Sequence, residues 1–263
     1  MILEVESTWP ADIVPFIEQH RPLFDDWYGP RSEERERQRR PGDHSTGPRF
    51  SAQQHDRAIE VLEDLLKPHT LEEGFHCTRL TGTEVDAIQS SGMQLPNKAM
   101  LEARIEARRQ ESALTASDAK ALLQTHQAND SNRAAKIWFY FYPPHRAGEH
   151  ASGDFFRYWG GEALYNSHDS HSRLGPLLRQ IGTPCIVVAD VPIAALSERS
   201  RLCAMLIRRF FNNRGETIRE KIDFHGHTKT AVPAEAIRKI VRFPSVEFTT
   251  LTDCDAWHEQ LTP

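Results

Sequence analysis

Gly74–Leu80 reads GFHCTRL, and residues 81–97 continue as TGTEVDAIQSSGMQLPN. The first seven residues are aromatic and β-prone, and they predict a strand. One histidine, His76, stands in that strand between a thiol and a Thr-Arg pair. A turn follows, then a short amphipathic helix over Glu84–Ser91, a glycine and a second extended run. The rest of the chain is read outward from this stretch.

Upstream, residues 1–30 mix apolar and aromatic positions with four prolines, which predicts short helical or irregular pieces. Residues 31–49 offer almost nothing to bury, and their dense mixed charge ending in Pro and Gly reads as an exposed loop. Ser51 suits an N-cap for a helix that carries Ile59, Leu62, Leu65 and Leu66 on one face and closes at Pro68. Downstream, residues 98–128 are strongly helical. KAMLEARIEARRQE is charged nearly all round, and Ser117 is placed to cap DAKALLQTHQ. IWFYFY (137–142) is a strong strand signal that Pro143 ends. CIVVADVPI (185–193) reads as a buried strand, and SERSRLCAMLIRRFFNN as a helix capped by Ser197. TIREKIDFHGHTKTAVP alternates well enough for one or two strands. AEAIRKIVRF reads as a short helix running into a strand, and TDCDAWHEQL as a last amphipathic turn or two. There is no internal repeat. The order predicts an α+β fold, divided into an N-terminal helical or irregular extension over 1–70 and a larger domain over 71–263 with a helical insert.

The bulk numbers restrict the function. Of 263 residues, 39% are hydrophobic, enough for a real core. The 32 basic and 37 acidic residues leave a net charge of −5, so a polyanion would have to meet a local patch. The opening MILEVESTWPAD lacks the bases and apolar run of a signal peptide, and no stretch approaches the roughly 20 apolar residues that span a bilayer. A cytoplasmic protein without a membrane partner is the expectation. The 4 cysteines, Cys77, Cys185, Cys203 and Cys254, are far apart and read as reduced thiols.

Three constellations carry chemistry. His76 lies in an otherwise buried-looking strand, beside Thr78 and Arg79 and before a glycine-containing turn. A neutral imidazole there can bond a ribose hydroxyl or a phosphate, and Arg79 offers a planar fork to a pyrophosphate. The second is FFRYWGGEALY (155–165). Tyr158 and Trp159 offer stacking faces, Gly160 and Gly161 allow close backbone approach, and Arg157 and Glu162 are the charges. A corner leading into a helix accounts for the same residues. In the third, FHGHT, His225 and His227 share a strand face, but no third ligand has the spacing a metal needs, so no metal is expected. Arg104, Arg108, Arg109, Arg208, Arg209 and Arg214 read either as a groove for a nucleic-acid strand or as solvated helix charges.

Taken in order, FHCTRL, EVDAIQSSGM, IWFYFY and GGEALY resemble the NAD-binding core of the ADP-ribosyltransferases, over roughly residues 74–243. The late run AVPAEAIRKIVRF resembles the ending of such domains. The resemblance implies a split, mixed β-sheet core and NAD+ as substrate. It implies that His76, with Thr78, binds the ribose on the nicotinamide side, that Tyr140 or Tyr142 stacks on nicotinamide, and that Arg79 or Arg157 faces the pyrophosphate. The family's glutamate stabilises the oxocarbenium-like transition state or activates the acceptor. Where the family places it, this chain has His225 to Lys229, and no acid. Glu162, Glu216 and Glu220 are the stand-ins, and Glu162 has the most suggestive setting. The branch implied is a bacterial toxin of a toxin–antitoxin or phage-defence system. It would act on single-stranded RNA, DNA or protein, with an antitoxin as partner. Two other readings stay open. His76-Cys77-Thr78 has the H-x-T form of two-histidine RNA phosphoesterases, with His225 or His227 as the second histidine. The chain also reads as a non-catalytic member that binds a nucleotide or a partner.

Overall fold

The first strand, β1, spans Thr70–Leu80 and so begins four residues before GFHCTRL. The computed structural model describes residues 1–30, 32, 34, 48–218 and 220–263, and within it β1 is the middle strand of a five-stranded sheet. The spatial order is β4 (His225–Thr228), β2 (Ile137–Tyr140), β1, β3 (Thr183–Pro192) and β5 (Ile237–Arg242). Phe75 lies opposite Tyr140 in the antiparallel β1–β2 pair. Cys185 lies opposite Arg242 in the antiparallel β3–β5 pair, whose register shifts between Val188 and Ala189. The sheet is antiparallel where the resemblance implies a mixed one. Residue alternation reports which face a side chain takes, not the direction of the neighbouring strand. With eleven α-helices among the described residues, the class is α+β.

Most of the charged run 31–49, expected as an exposed loop, lies outside the described residues. The remainder forms two compact units, Met1–Glu72 with Pro192–Gly226, and Glu73–Val191 with His227–Pro263. Pro192–Gly226 groups with the N-terminal residues. The cause is hydrophobic. In the first unit, α3 (Ala52–Leu66) buries Ile59, Leu62 and Leu66, and α10 (Arg199–Asn213) packs on it with Leu202, Leu206 and Phe210 buried. Ser51 and Gln54 form a complete capping box at the start of α3. The start of α10 differs from expectation: Glu198 stands at the cap without a capping bond, and Ser197 is outside. α1 (Ile13–Gln19) and α2 (Arg21–Tyr28) complete this helical group, with Ile13, Ile17 and Phe24 fully buried.

In the second unit, β1 leads into α4 (Gly82–Ser91), and the helical insert follows as α5 (Lys98–Gln110) and α6 (Ala116–Thr125). Thr115, not Ser117, caps α6, in a box with Asp118. The FFRYWGGEALY stretch is a corner between α7 (Glu149–Arg157) and α8 (Glu162–His168), and α9 (Leu174–Gln180) follows. A single 3-10 turn, Ala234–Ala236, replaces the helix expected before β5, and α11 (Val246–Thr252) comes after it. Two apolar clusters fill this unit. One is helical and centres on the fully buried Trp159, with Ile105, Leu122, Leu164 and Leu178. The other lies on one face of the sheet and joins Phe75, Cys77, Ile186 and Val188 to Phe156 and Phe248. Among the described residues no helix is long and apolar enough to cross a membrane.

Candidate functional site

Strand alternation divides β1 into two faces. Phe75, Cys77 and Arg79 are buried, and His76 and Thr78 between them are half-buried on the other side. His76 and Thr78 line a cavity of about 330 Å³ in the second unit. Its walls are Leu80 of β1, Glu84, Ile88 and Gly92 along and beyond α4, Met100 and Arg104 of α5, and Lys136 with Ile137 entering β2. The size suits a small-molecule site.

The imidazole of His76 is fixed in one tautomer. Its Nδ1 lies 2.9 Å from the carbonyl oxygen of Trp138. A carbonyl only accepts, so Nδ1 carries the hydrogen and Nε2 keeps the lone pair in the neutral ring. The Phe139 ring meets it edge-on at 5.9 Å. Burial depresses the pKa of His76, the Trp138 carbonyl opposes this, and the nearby charge of Arg104 lowers it further. The side chain is therefore neutral at pH 7.

Among the described residues Glu84 is the one carboxylate on the cavity wall. Thr81 and Glu84 form the capping box of α4, with the Thr81 N–H donating to Glu84 Oε2 at 2.8 Å. Arg104 Nε donates to Oε1 at 2.6 Å, and Trp159 Nε1 donates to Oε2 at 3.0 Å. Burial alone would raise the Glu84 pKa, but Arg104, Thr81 and Trp159 outweigh it and hold the carboxyl below its ordinary range. The Arg104 guanidinium also lies over the Trp159 ring, 4.9 Å from its centroid. Glu84, Arg104 and Trp159 thus form a closed triangle behind one wall of the cavity.

Gly92 ends α4 at φ 74°, ψ −171°, a region open essentially only to glycine. A Cβ there would stand 2.0 Å from the Val232 carbonyl oxygen. The close approach allows a two-bond bridge between Met93 and Val232, with N–H to O distances of 2.8 and 2.9 Å.

The other residues singled out from sequence are elsewhere. Tyr140 shares the face of Phe75 and Cys77, opposite to His76, and donates its hydroxyl to the Ala151 carbonyl at 3.0 Å. Tyr142 is buried past the end of β2, edge-on to Tyr140 at 5.4 Å. Glu162 opens α8 and accepts from Arg133 Nε at 2.9 Å. Arg79 is buried and donates to the carbonyls of Ile181, Phe156, Thr262 and Pro263 at 2.8 to 3.2 Å, so its fork is already filled. Arg157 is buried in ion pairs with Glu149 and Glu259. Tyr158 and Trp159 are core residues, and Tyr158 carries the Arg179 guanidinium over its ring at 4.5 Å. Gly160 has φ 86° at the corner, where a Cβ would stand 2.3 Å from Leu164. None of these eight lines the cavity. Of the stand-in acids, Glu216 pairs with Arg21 and Glu220 with Arg208, both in the first unit.

His225 and His227 are not on the cavity wall either, and the His227 ring packs against the Trp138 ring at 4.4 Å. Among the described residues no group of three or more His, Cys, Asp or Glu side chains is placed to hold a metal ion. Burial pushes the Cys77 thiol pKa up, so Cys77 is no thiolate. Sequence reading missed Glu84 and Lys136, and offered Arg104 only within a set of arginines for a nucleic-acid groove or a solvated helix face. Glu84 had a signal, the T-x-x-E capping pattern at Thr81. No family model matches the chain, and no curated protein or solved structure matches it.

Proposed function

We propose that the chain binds NAD+ in the His76 cavity and transfers ADP-ribose to a macromolecular acceptor. One observation carries the reading: neutral His76, with Nδ1 committed to the Trp138 carbonyl and Nε2 left as an acceptor, lines with Thr78 a cavity of small-molecule size. Nε2 accepts from a ribose hydroxyl, and Thr78 can donate or accept beside it. In the transfer, the bond from the ribose C1′ to the nicotinamide nitrogen breaks and nicotinamide leaves with the electron pair. A nucleophile on the acceptor bonds to C1′ and loses its proton. Positive charge develops on the ribose meanwhile, and an ionised carboxylate near it lowers the barrier. Glu84 is the carboxylate on this wall, which makes it a better candidate than Glu162. An acceptor of single-stranded RNA, DNA or protein, and a toxin role with an antitoxin partner, belong to the same proposal.

The test is nicotinamide release and transfer of label from radiolabelled NAD+ in the presence of RNA, DNA and protein. His76→Ala should lower turnover by about 100-fold or more, the scale of a lost positioned group. Glu84→Gln should lower it comparably and Glu162→Gln by far less. Full turnover in His76→Ala would remove the cavity from the reaction. Binding without nicotinamide release would leave a non-catalytic nucleotide binder, and RNA cleavage without NAD+ would favour a phosphoesterase.

A further inference from the structure

The charges on the cavity wall do not cancel. Glu84 is the single acid there among the described residues, and Arg104 already neutralises it. Lys136 adds a second cation, half-buried and paired with no carboxylate among the described residues. His76 is neutral and contributes none. The wall therefore carries one net positive charge in a partly enclosed, largely apolar space, where a charge acts more strongly than on an open surface.

Arg104 is held ready. Its Nε is taken by Glu84, and its plane is fixed against the Trp159 ring. No side chain or carbonyl among the described residues accepts from its two Nη groups. A guanidinium pinned at Nε, with both terminal nitrogens open, is a preorganised fork for an anion with oxygens in one plane. Its rotamer entropy is already lost to Glu84 and Trp159, so little more is lost on binding. Lys136 supplies a point charge at the same cavity.

We propose that Arg104 and Lys136 form the anion-binding end of this cavity and take the pyrophosphate of a nucleotide ligand. The identity of that ligand rests on the NAD+ reading above, whereas the requirement for an anion rests on the wall charges alone. The assignment moves the phosphate contact from Arg79, whose donors are committed to main-chain carbonyls, and from Arg157, which is buried in ion pairs with Glu149 and Glu259, to two cations on the cavity wall. Glu84 then has a positioning role as well, because it aims Arg104.

Calorimetric titration of the full chain with ADP-ribose, inorganic pyrophosphate and adenosine tests this. Arg104→Gln and Lys136→Gln should each weaken ADP-ribose and pyrophosphate by about tenfold or more, the range expected for a charge-assisted bond. Adenosine affinity should stay level across the variants, and Lys136→Arg should restore most of the loss. Arg104→Gln also loosens Trp159, so Lys136→Gln decides where the first variant fails to fold. Unchanged ADP-ribose affinity in Lys136→Gln overturns the proposal, as does an equal loss for adenosine. If pyrophosphate binds through both cations and ADP-ribose does not bind, the anion site stands and the NAD+ reading falls. If ADP-ribose binds without either cation, the reverse holds. A single-stranded RNA oligonucleotide that binds through both cations, with neither small ligand binding, overturns the nucleotide assignment.

Discussion

His76 owes its protonation state to its burial and to two neighbours. Burial disfavours the imidazolium, the Trp138 carbonyl partly offsets that, and Arg104 adds like-charge repulsion. The native ring therefore takes up its second proton below the ordinary value of 6.5, while the unfolded chain takes it up at that value. As pH falls through this window the unfolded state binds more protons than the native one, so stability drops on acidification. It is fully present above 6.5 and levels off once native His76 is itself protonated. A histidine NMR titration should give a midpoint for His76 below 6.5. The pH slope of unfolding free energy between about pH 5 and 7 should be shallower in His76→Gln. A midpoint at or above the ordinary value would contradict the effects of burial and of the Arg104 charge together. That GFHCTRL forms a strand bearing His76 was legible from its aromatic and β-prone residues, because that preference is local. Which tyrosine, arginine or acid shares its cavity was not, since that depends on register. Tyr140 pairs with Phe75, and this single fact turns it to the other face.

At the scale of elements, local signals were readable wherever a short-range bond sets the structure. Ser51 and Gln54, and Thr81 and Glu84, are three residues apart, and each pair caps its helix as a box. The apolar faces of α3 and α10 were equally plain from their period. The lengths of β2 and β4 were not, because strand ends are set by which residues find a partner across the sheet. FFRYWGGEALY misled for a different reason. Its aromatics suggest a ligand cage, but Trp159 and Tyr158 meet helices that are distant in sequence, and core demand explains them. The element that the cavity depends on most is the end of α4. Gly92 there combines a glycine-only backbone conformation with a carbonyl where a Cβ would stand. Gly92→Ala should cost roughly 1–3 kcal/mol from the backbone conformation alone, and more once Val232 is displaced. Chemical denaturation reads the loss, and ligand affinity should fall with it because Gly92 and Met93 line the cavity. A change under about 0.5 kcal/mol would mean the turn is not held as described.

The whole chain offers one probe that reports on each unit separately. All four cysteines are free and buried, Cys203 in the first unit and Cys77, Cys185 and Cys254 in the second. Their wide spacing in sequence already argued for reduced thiols, but their burial came only with the fold, because it rests on contacts such as that of Cys77 with the sheet-face cluster. Burial raises the thiol pKa of Cys77 and Cys203, and pushes Cys185 up to about 11. A thiol that is both shielded and protonated does not attack a disulfide reagent, since the thiolate is the nucleophile. An aromatic disulfide reagent at neutral pH should therefore find no reactive thiol in the native protein and four after full denaturation. Because reaction requires opening, the rate at each thiol under native conditions measures the local unfolding equilibrium of its own unit. Serine variants that leave Cys203 alone, or that remove only Cys203, separate the two signals. Rapid labelling of Cys203 in the native protein would show that the packing of α10 on α3 opens readily. Rapid labelling of Cys77 would show the same of the sheet face that backs His76, and with it a candidate site less firmly held than its hydrogen bonds imply.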